Sequence, residues 1–121
     1  MTYIDGFVIA APSAEKAKFI DHAERMDAIF LEMGALRVVE GWGDDVPEGK
    51  VTDFGRAVQA MDDETVVFSW IEWPDKSTRD AAMAKMREDP RMTGEPMPFD
   101  GKRMIFGGFV PVVTLEKESG R

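Results

Sequence analysis

The stretch Thr65–Trp73, TVVFSWIEW, decides the fold because it carries apolar side chains on both of its sides. Side chains of a β-strand alternate between the two faces of the sheet. Its even-numbered positions include valine, phenylalanine and tryptophan, and its odd-numbered positions include valine, isoleucine and tryptophan. The same two-sided pattern recurs in Tyr3–Ala11 and in Met104–Val113. We therefore expect a sheet whose two faces both need to be covered.

Strands and helices alternate on either side of this stretch. Phe54–Ala60 also resembles a strand, and the sequence leaves open whether it is a full extra strand in a hairpin with Thr65–Trp73. The order β-α-β-(β)-β-α-β predicts an α+β, ferredoxin-like domain: an antiparallel sheet with two helices on one face. The predicted strands are Tyr3–Ala11, Ala35–Gly43, Thr65–Trp73 and Arg103–Thr114, and the predicted helices run from an N-cap at Ser13 to Met33 and from an N-cap at Ser77 to Asp89.

The length predicts one domain, residues 1–114, followed by a polar tail at 115–121 that frays.

Two helices cover only one face of such a sheet. The other apolar face would be larger than the roughly several hundred Å² that monomers usually expose. A second copy of the same face is the simplest cover, so we expect a homodimer with its sheets face to face or closed into a shared barrel.

The composition argues against several classes of function. Fifteen Lys and Arg stand against 23 Asp and Glu, which gives a net charge of −8 and argues against nucleic-acid binding and anionic membranes. The chain has no cysteine, so disulfides, thiolate nucleophiles and Cys-ligated zinc are excluded.

The N-terminus lacks the basic region of a signal peptide, which predicts a cytoplasmic protein. Asp44, Asp45 and Asp53 do not have the spacing of an EF-hand, and no motif predicts a metal or a cofactor.

Five motifs carry a resemblance to a known family: YIDGFV, DDVPEGKVTDF, FSWIEWP, DPRM and MPFDGKRMIFGGF. From Met1 to about Val113 the chain resembles the YbaA-like family of small, uncharacterised bacterial proteins. The resemblance implies a dimeric α+β barrel and brings no activity, cofactor or catalytic residue. The last motif contains Gly107-Gly108, which inside a strand indicates a bend, a bulge or the close approach of a neighbour.

Polar residues at otherwise apolar strand positions are the candidates for a site, because a buried polar group needs a partner. Together with neighbouring tryptophans they can line a pocket for a small, partly aromatic ligand. The alternative is a structural role. In that case the polar residues form ion pairs at strand ends and dimer edges, in which Arg37 and Arg103 neutralise the carboxylates. The candidate pocket residues are Asp5, Arg37, Glu40, Trp42, Ser69, Trp70, Glu72 and Arg103.

Three classes of function remain, and the sequence identifies no catalytic residue. The first is a homodimeric small-molecule-binding or structural module. The second is a cofactor-free enzyme, monooxygenase- or isomerase-like, which would use Asp5, Glu40 or Glu72 with an arginine. The third, RNA binding, is opposed by the charge. The single histidine, His22, falls on a polar helix face and is predicted to be solvated.

Overall fold

The computed structural model describes residues 2–118, which form four strands and four helices. A 3₁₀ turn, Ser13–Glu15, connects the first strand to the first helix. In chain order the elements are β1 (Tyr3–Pro12), α1 (Lys16–Glu32), β2 (Arg37–Trp42), α2 (Phe54–Ala57), β3 (Glu64–Trp73), α3 (Lys76–Met86), α4 (Pro90–Thr93) and β4 (Ile105–Phe109).

The four strands form one sheet in the order β2-β3-β1-β4, and every neighbouring pair is antiparallel. Phe7 of β1 lies opposite Ser69 of β3 on one side and opposite Phe106 of β4 on the other. The helices α1 and α3 pack on the same face, where Ile29 and Ala82 join one cluster. This is the predicted ferredoxin-like arrangement, with two long helices on one face of an antiparallel sheet.

The core lies between this helix-bearing face and the two long helices. Trp73, Ile71 and Val67 project from β3 into it and are almost completely buried. Phe19 and Ala23 of α1 cover the Val67 end of the strand. Burial of each large apolar side chain contributes about 1.5–3 kcal/mol, so this face accounts for much of the stability.

The glycine pair in β4 lets an aromatic ring come close. Of the three predicted explanations for this pair, the structure shows the close approach of a neighbour. Gly108 pairs in register with Asp5, and a Cβ atom placed on it would come within 2.8 Å of ring carbons of Tyr3. The Tyr3 ring lies in turn under the guanidinium of Arg79, 5.1 Å from its centroid. Glycine at this position therefore makes room for the Tyr3 ring, on which the Arg79 guanidinium packs.

The segment Phe54–Ala60 is not a strand. Its first four residues form the short helix α2, because the side chain of Asp53 accepts a hydrogen bond from the Arg56 N–H at 2.7 Å and caps a helical turn. Val58, just after this helix, packs on Val8 of β1, on the face of the sheet opposite α1 and α3. The chain thus passes from β2 to β3 without an additional strand.

Both long helices begin at other residues than predicted. Ser13 does not cap α1; its hydroxyl is 2.7 Å from the Thr65 hydroxyl. At α3 the N-cap is Asp75 instead of Ser77, and Asp75 Oδ1 accepts from the Thr78 N–H at 2.7 Å. The pKa of Asp75 lies below its usual value because these backbone and side-chain hydrogen bonds favour its ionised form.

Substituting this cap should weaken α3 measurably. We expect Asp75→Ala to lower the free energy of unfolding by about 1 kcal/mol, the usual contribution of an Asp N-cap. Ser77→Ala serves as the control, and its loss should be clearly smaller because Ser77 only donates to the Asp75 carboxylate. Urea unfolding of both variants checks the assignment, and an equal loss would contradict it.

The last strand is shorter than predicted. The interval 103–114 was expected to be one strand, but only Ile105–Phe109 pairs with β1. Helix α3 ends at Met86, before the predicted Asp89, and β2 is trimmed to Arg37–Trp42. Of the predicted tail, residues 119–121 lie outside the described residues, so the domain boundary at 114 stays a prediction.

Candidate functional site

A cavity of about 210 Å³ lies between the helix layer and the sheet. Its walls come from α1, from the first three strands, from α4 and from the segment that follows α4. No lysine or arginine lines it, and its polar lining is His22, Asp27, Glu40, Ser69 and Glu95. The remaining wall is apolar, mostly phenylalanine and methionine, and includes Phe7, Phe19, Met26, Phe30, Met92 and Phe99.

Two carboxyl groups face each other in this cavity. Asp27 comes from α1 and Glu40 from β2, where Glu40 lies opposite Ser69 of β3. Burial, then a hydrogen bond to Glu40, then the charge of Glu40 raise the pKa of Asp27 from an ordinary 3.8 to about 8. At neutral pH the pair therefore shares one proton, with Asp27 as the acid.

Glu40 also has an unsatisfied atom. Its Oε1 is buried, and apart from the neighbouring Asp27 carboxyl group no hydrogen-bond donor among residues 2–118 reaches it. An unsatisfied buried acceptor usually costs about 1–3 kcal/mol, so native proteins rarely keep one without a role. The neighbouring Ser69 is buried as well, and it places a hydroxyl group in the same cavity.

A second polar group borders the cavity at His22. Its Nδ1 is 3.2 Å from Glu95, and its ring meets Phe99 edge-on. Glu95 also accepts from Arg25, and this hydrogen bond keeps the pKa of Glu95 below its usual value. The side chain of His22 is only 13% exposed, so the prediction of a solvated histidine is wrong. The segment after α4 covers it, a contact that helix periodicity does not reveal.

The structure brings together three of the eight sequence-predicted site residues. Glu40 and Ser69 line the cavity, and Trp70 borders it. The indole Nε1 of Trp70 donates to Glu72 at 2.9 Å. Glu72 in turn lies 3.8 Å from Arg37 in an ion pair. Arg37 and Glu72 therefore belong to a polar group outside the cavity.

The remaining three predicted residues lie elsewhere. Trp42 packs on Phe19 with ring centroids 5.8 Å apart, and the Lys16 ammonium lies above its ring. Arg103 holds Glu64 through two hydrogen bonds of 2.7 and 2.6 Å and does not reach the carboxylates it was expected to neutralise. It ties the start of β3 to the turn that precedes β4, which is a structural contact.

Asp5 forms a separate buried network below α3. It is 3% exposed and accepts from Arg79 at 2.8 and 3.0 Å and from the Trp73 indole at 2.9 Å. The pKa of Arg79 is raised above its usual value, first because of its hydrogen bonds to Asp5. The Arg79 guanidinium thus neutralises the carboxylate, and both oxygens of Asp5 already accept hydrogen bonds within the protein.

Sequence reasoning missed Asp27, His22 and Glu95 as cavity residues. A signal existed for Asp27, which lies four residues after Ala23 and three before Phe30 and so borders the apolar stripe of α1. For Glu95 there was none, because it follows a short helix in a loop. Within residues 2–118 no three His, Asp or Glu side chains converge as a metal site requires, and no helix is long and apolar enough to cross a membrane.

The fold and the cavity define the class of protein: an α+β, ferredoxin-like domain with a small, acidic cavity between its helices and its sheet. Residues 2–101 match the family described as "Protein of unknown function (DUF1428)", and the chain belongs to that family. It is 56% identical over 115 residues to the Uncharacterized protein YbaA of Escherichia coli (strain K12) and of Shigella flexneri, which covers 93% of this chain and 98% of theirs. The predicted YbaA-like membership is therefore confirmed.

A solved structure supports the fold independently. A dimeric ferredoxin-like protein from an uncultured marine organism superposes with a TM-score of 0.54 over 97% of this chain and 100% of its own. The two sequences are 13% identical, so the likeness concerns the fold alone. It confirms the ferredoxin-like prediction.

Proposed function

We propose that the protein is a homodimer that binds a small molecule in the cavity between its helices and its sheet. The observation that carries this proposal is the carboxyl pair of Asp27 and Glu40, kept inside a largely apolar cavity. Apolar walls with a few convergent polar groups are the usual composition of a ligand site. At about 210 Å³ the cavity is smaller than the roughly 300–1,000 Å³ of pockets for drug-sized ligands, which favours a small metabolite.

A cavity-filling substitution tests this binding. Native mass spectrometry of the freshly purified protein should show a retained small molecule or the uptake of one from a metabolite extract. Val38→Phe adds a ring at the cavity wall and should reduce the bound fraction at least about tenfold. Ile20→Phe, on the exposed side of α1, adds the same kind of ring outside the cavity and should bind normally. Equal binding by the two variants would place the ligand elsewhere.

The homodimer part of the proposal is supported by the sheet face opposite α1 and α3. The segment after α2 covers one end of this face, through Val58. At the other end Phe68 and Phe109 remain 47% and 60% exposed, beside Ile105. A shallow apolar groove runs between these residues. A large exposed apolar patch marks an interaction site, and a two-fold axis lets the same patch cover itself.

A charge at this face should separate the two protomers. We expect Phe109→Asp to raise the dissociation constant of the dimer at least about tenfold, because the interface would have to bury an unpaired carboxylate. Leu31→Asp makes the same kind of change at an exposed position of α1 and should leave the dimer intact. Light scattering over a dilution series measures both. A wild-type protein that is folded and monomeric at every concentration would refute the homodimer.

A second candidate function is a cofactor-free enzyme that transfers a proton, as in an isomerase. The observation that favours it is two carboxyl groups side by side in a cavity, where burial and Glu40 raise the pKa of Asp27 to about 8, because such a pair can supply a general acid and a general base. A retained ligand that exchanges a C–H hydrogen for deuterium in D₂O would support catalysis, provided that Glu40→Gln abolishes the exchange. RNA binding stays opposed by the net charge of −8, and the cytoplasmic location stays a prediction from the sequence.

A further inference from the structure

Asp27 and Glu40 differ from the other buried and half-buried carboxylates of residues 2–118. Each of the others has an N–H, ammonium or guanidinium partner, as Asp5 has Arg79. Asp27 and Glu40 have only one another as partners, and no N–H, ammonium, guanidinium or alcohol donor among residues 2–118 reaches Glu40 Oε1. Because no lysine or arginine lines the cavity, the protein itself supplies no cation for this pair.

We propose that the cavity binds a small molecule with a protonated amine on an apolar body, and that its ammonium group lies between Asp27 and Glu40. This inference rests on the proposed function, since it requires that the cavity binds a small molecule. An ammonium group brings three N–H donors and one positive charge, which matches two adjacent carboxyl groups and an unpaired acceptor. The apolar body would pack against Phe19, Met26 and Phe30.

The other ligand classes fit this cavity less well. An anion would add a further negative charge beside a pair that already shares a proton, at an uncompensated desolvation cost. A neutral alcohol can donate one hydrogen bond to Glu40 but brings no positive charge to attract the carboxyl pair. A hard divalent cation needs about six oxygen ligands, and the three carboxylates that line the cavity, Asp27, Glu40 and Glu95, do not converge as a metal site requires.

Binding of an ammonium group should release a proton. In the free protein the pair holds one proton, which burial and the charge of Glu40 keep on Asp27 up to a pKa of about 8. An ammonium ion favours the ionised form of both carboxyl groups, so the proton leaves Asp27 for solvent while the amine keeps its own. The other groups that face the pair are His22 from α1, Ser69 from β3, and Glu95, whose charge is occupied by Arg25.

Three probes of similar size test the class of ligand by calorimetry on the full chain at pH 7.5: 2-phenylethylamine, 2-phenylethanol and phenylacetate. We expect the amine to bind at least about tenfold more tightly than the alcohol, and phenylacetate to bind most weakly. Titrations in phosphate and in HEPES, which differ in heat of ionisation and contain no primary ammonium group, should show that amine binding releases up to about one proton.

Substitutions then locate the effect. Asp27→Asn and Glu40→Gln should each abolish most of the preference for the amine and leave the binding of 2-phenylethanol within about threefold of wild type. Asp21→Asn, an exposed position on the same helix, should keep the preference. If the amine and the alcohol bind equally, or if both cavity variants keep the preference, the ligand class is wrong while the binding function stands. If none of the three probes binds at millimolar concentration and native mass spectrometry finds no ligand, the binding function itself fails.

Discussion

Replacing Arg79 with methionine is expected to lower the free energy of unfolding by about 3–5 kcal/mol, the loss seen when one partner of a buried ion pair is removed. Asp5 is 3% exposed, and two of its three hydrogen bonds come from the Arg79 guanidinium. Without Arg79 the carboxylate keeps only the Trp73 indole as donor. Asp5 must then either hold a buried charge without compensation or take up a proton.

A control variant separates the loss of stability in Arg79→Met from the general effect of substituting a basic residue on α3. Lys85→Met changes an exposed basic residue on the same helix and should alter the free energy of unfolding by no more than about 0.5 kcal/mol. The double variant Asp5→Asn/Arg79→Met removes both charges and keeps an oxygen for the Trp73 indole. It should recover most of the loss, because a buried pair replaced by uncharged groups is often close to neutral.

Guanidinium chloride unfolding at pH 7 measures all three variants. A loss below about 1 kcal/mol for Arg79→Met would mean that the ion pair is solvated and would contradict the burial of Asp5. A double variant as unstable as the single one would show that the packing of Arg79 on the Tyr3 ring matters more than its charge.

The sheet was predictable because its signal is local. Alternation along β3 predicts two apolar faces from nine consecutive side chains, and the structure shows one face under α1 and α3 and the other partly open. The choice of Glu40 and Ser69 as site candidates also followed from alternation, since both occupy positions between apolar neighbours on the strand face that the helices cover. Periodicity therefore identified the strand-borne half of the cavity.

The misassigned segment shows how a cap can override β-propensity. Phe54–Ala60 contains valine and phenylalanine and resembles a strand, but Asp53 satisfies two backbone donors, the N–H groups of Arg56 and Gly49. These bonds favour a helical turn at this point. The signal was present in the sequence, because an aspartate stands directly before the segment.

The helix-borne half of the cavity was not predictable because it depends on distant contacts. Whether Asp27 lies in solvent or in the core is decided by where β2 passes under α1, and its partner is thirteen residues away along the chain. His22 is covered by Glu95 and Phe99, which come from a loop with no periodicity of its own. The partners of ion pairs were not predictable for the same reason. Arg103 pairs with Glu64 because two turns that are distant in sequence meet there.

Replacing Asp27 with asparagine is expected to stabilise the protein, and the gain should grow with pH. The pKa of Asp27 is raised in the folded state to about 8, above the ordinary 3.8 of an unfolded chain. Between these two values the folded protein holds a proton that the unfolded chain releases, so the contribution of Asp27 to stability falls as pH rises from about 4 to about 8 and stays low above it. Asparagine does not titrate, so the variant lacks this loss.

Comparing unfolding free energies of wild type and Asp27→Asn from pH 5 to pH 9 isolates the Asp27–Glu40 pair, since the carboxylates outside the pair contribute equally to both proteins. Because Asp27 is only half-buried, solvent screening reduces the full linkage energy, and we expect a difference of about 2–3 kcal/mol at pH 9 that shrinks towards pH 5. Asp21→Asn, exposed on the same helix, should show no such trend. A flat difference would mean that Asp27 is ionised throughout and that the pair holds no proton.

A stabilising substitution within reach of a single base change indicates that the carboxyl group is retained for another reason, because residues that reduce stability concentrate at functional sites. The expected gain in stability from Asp27→Asn and its expected loss of amine binding are therefore two measurements of the same carboxyl pair.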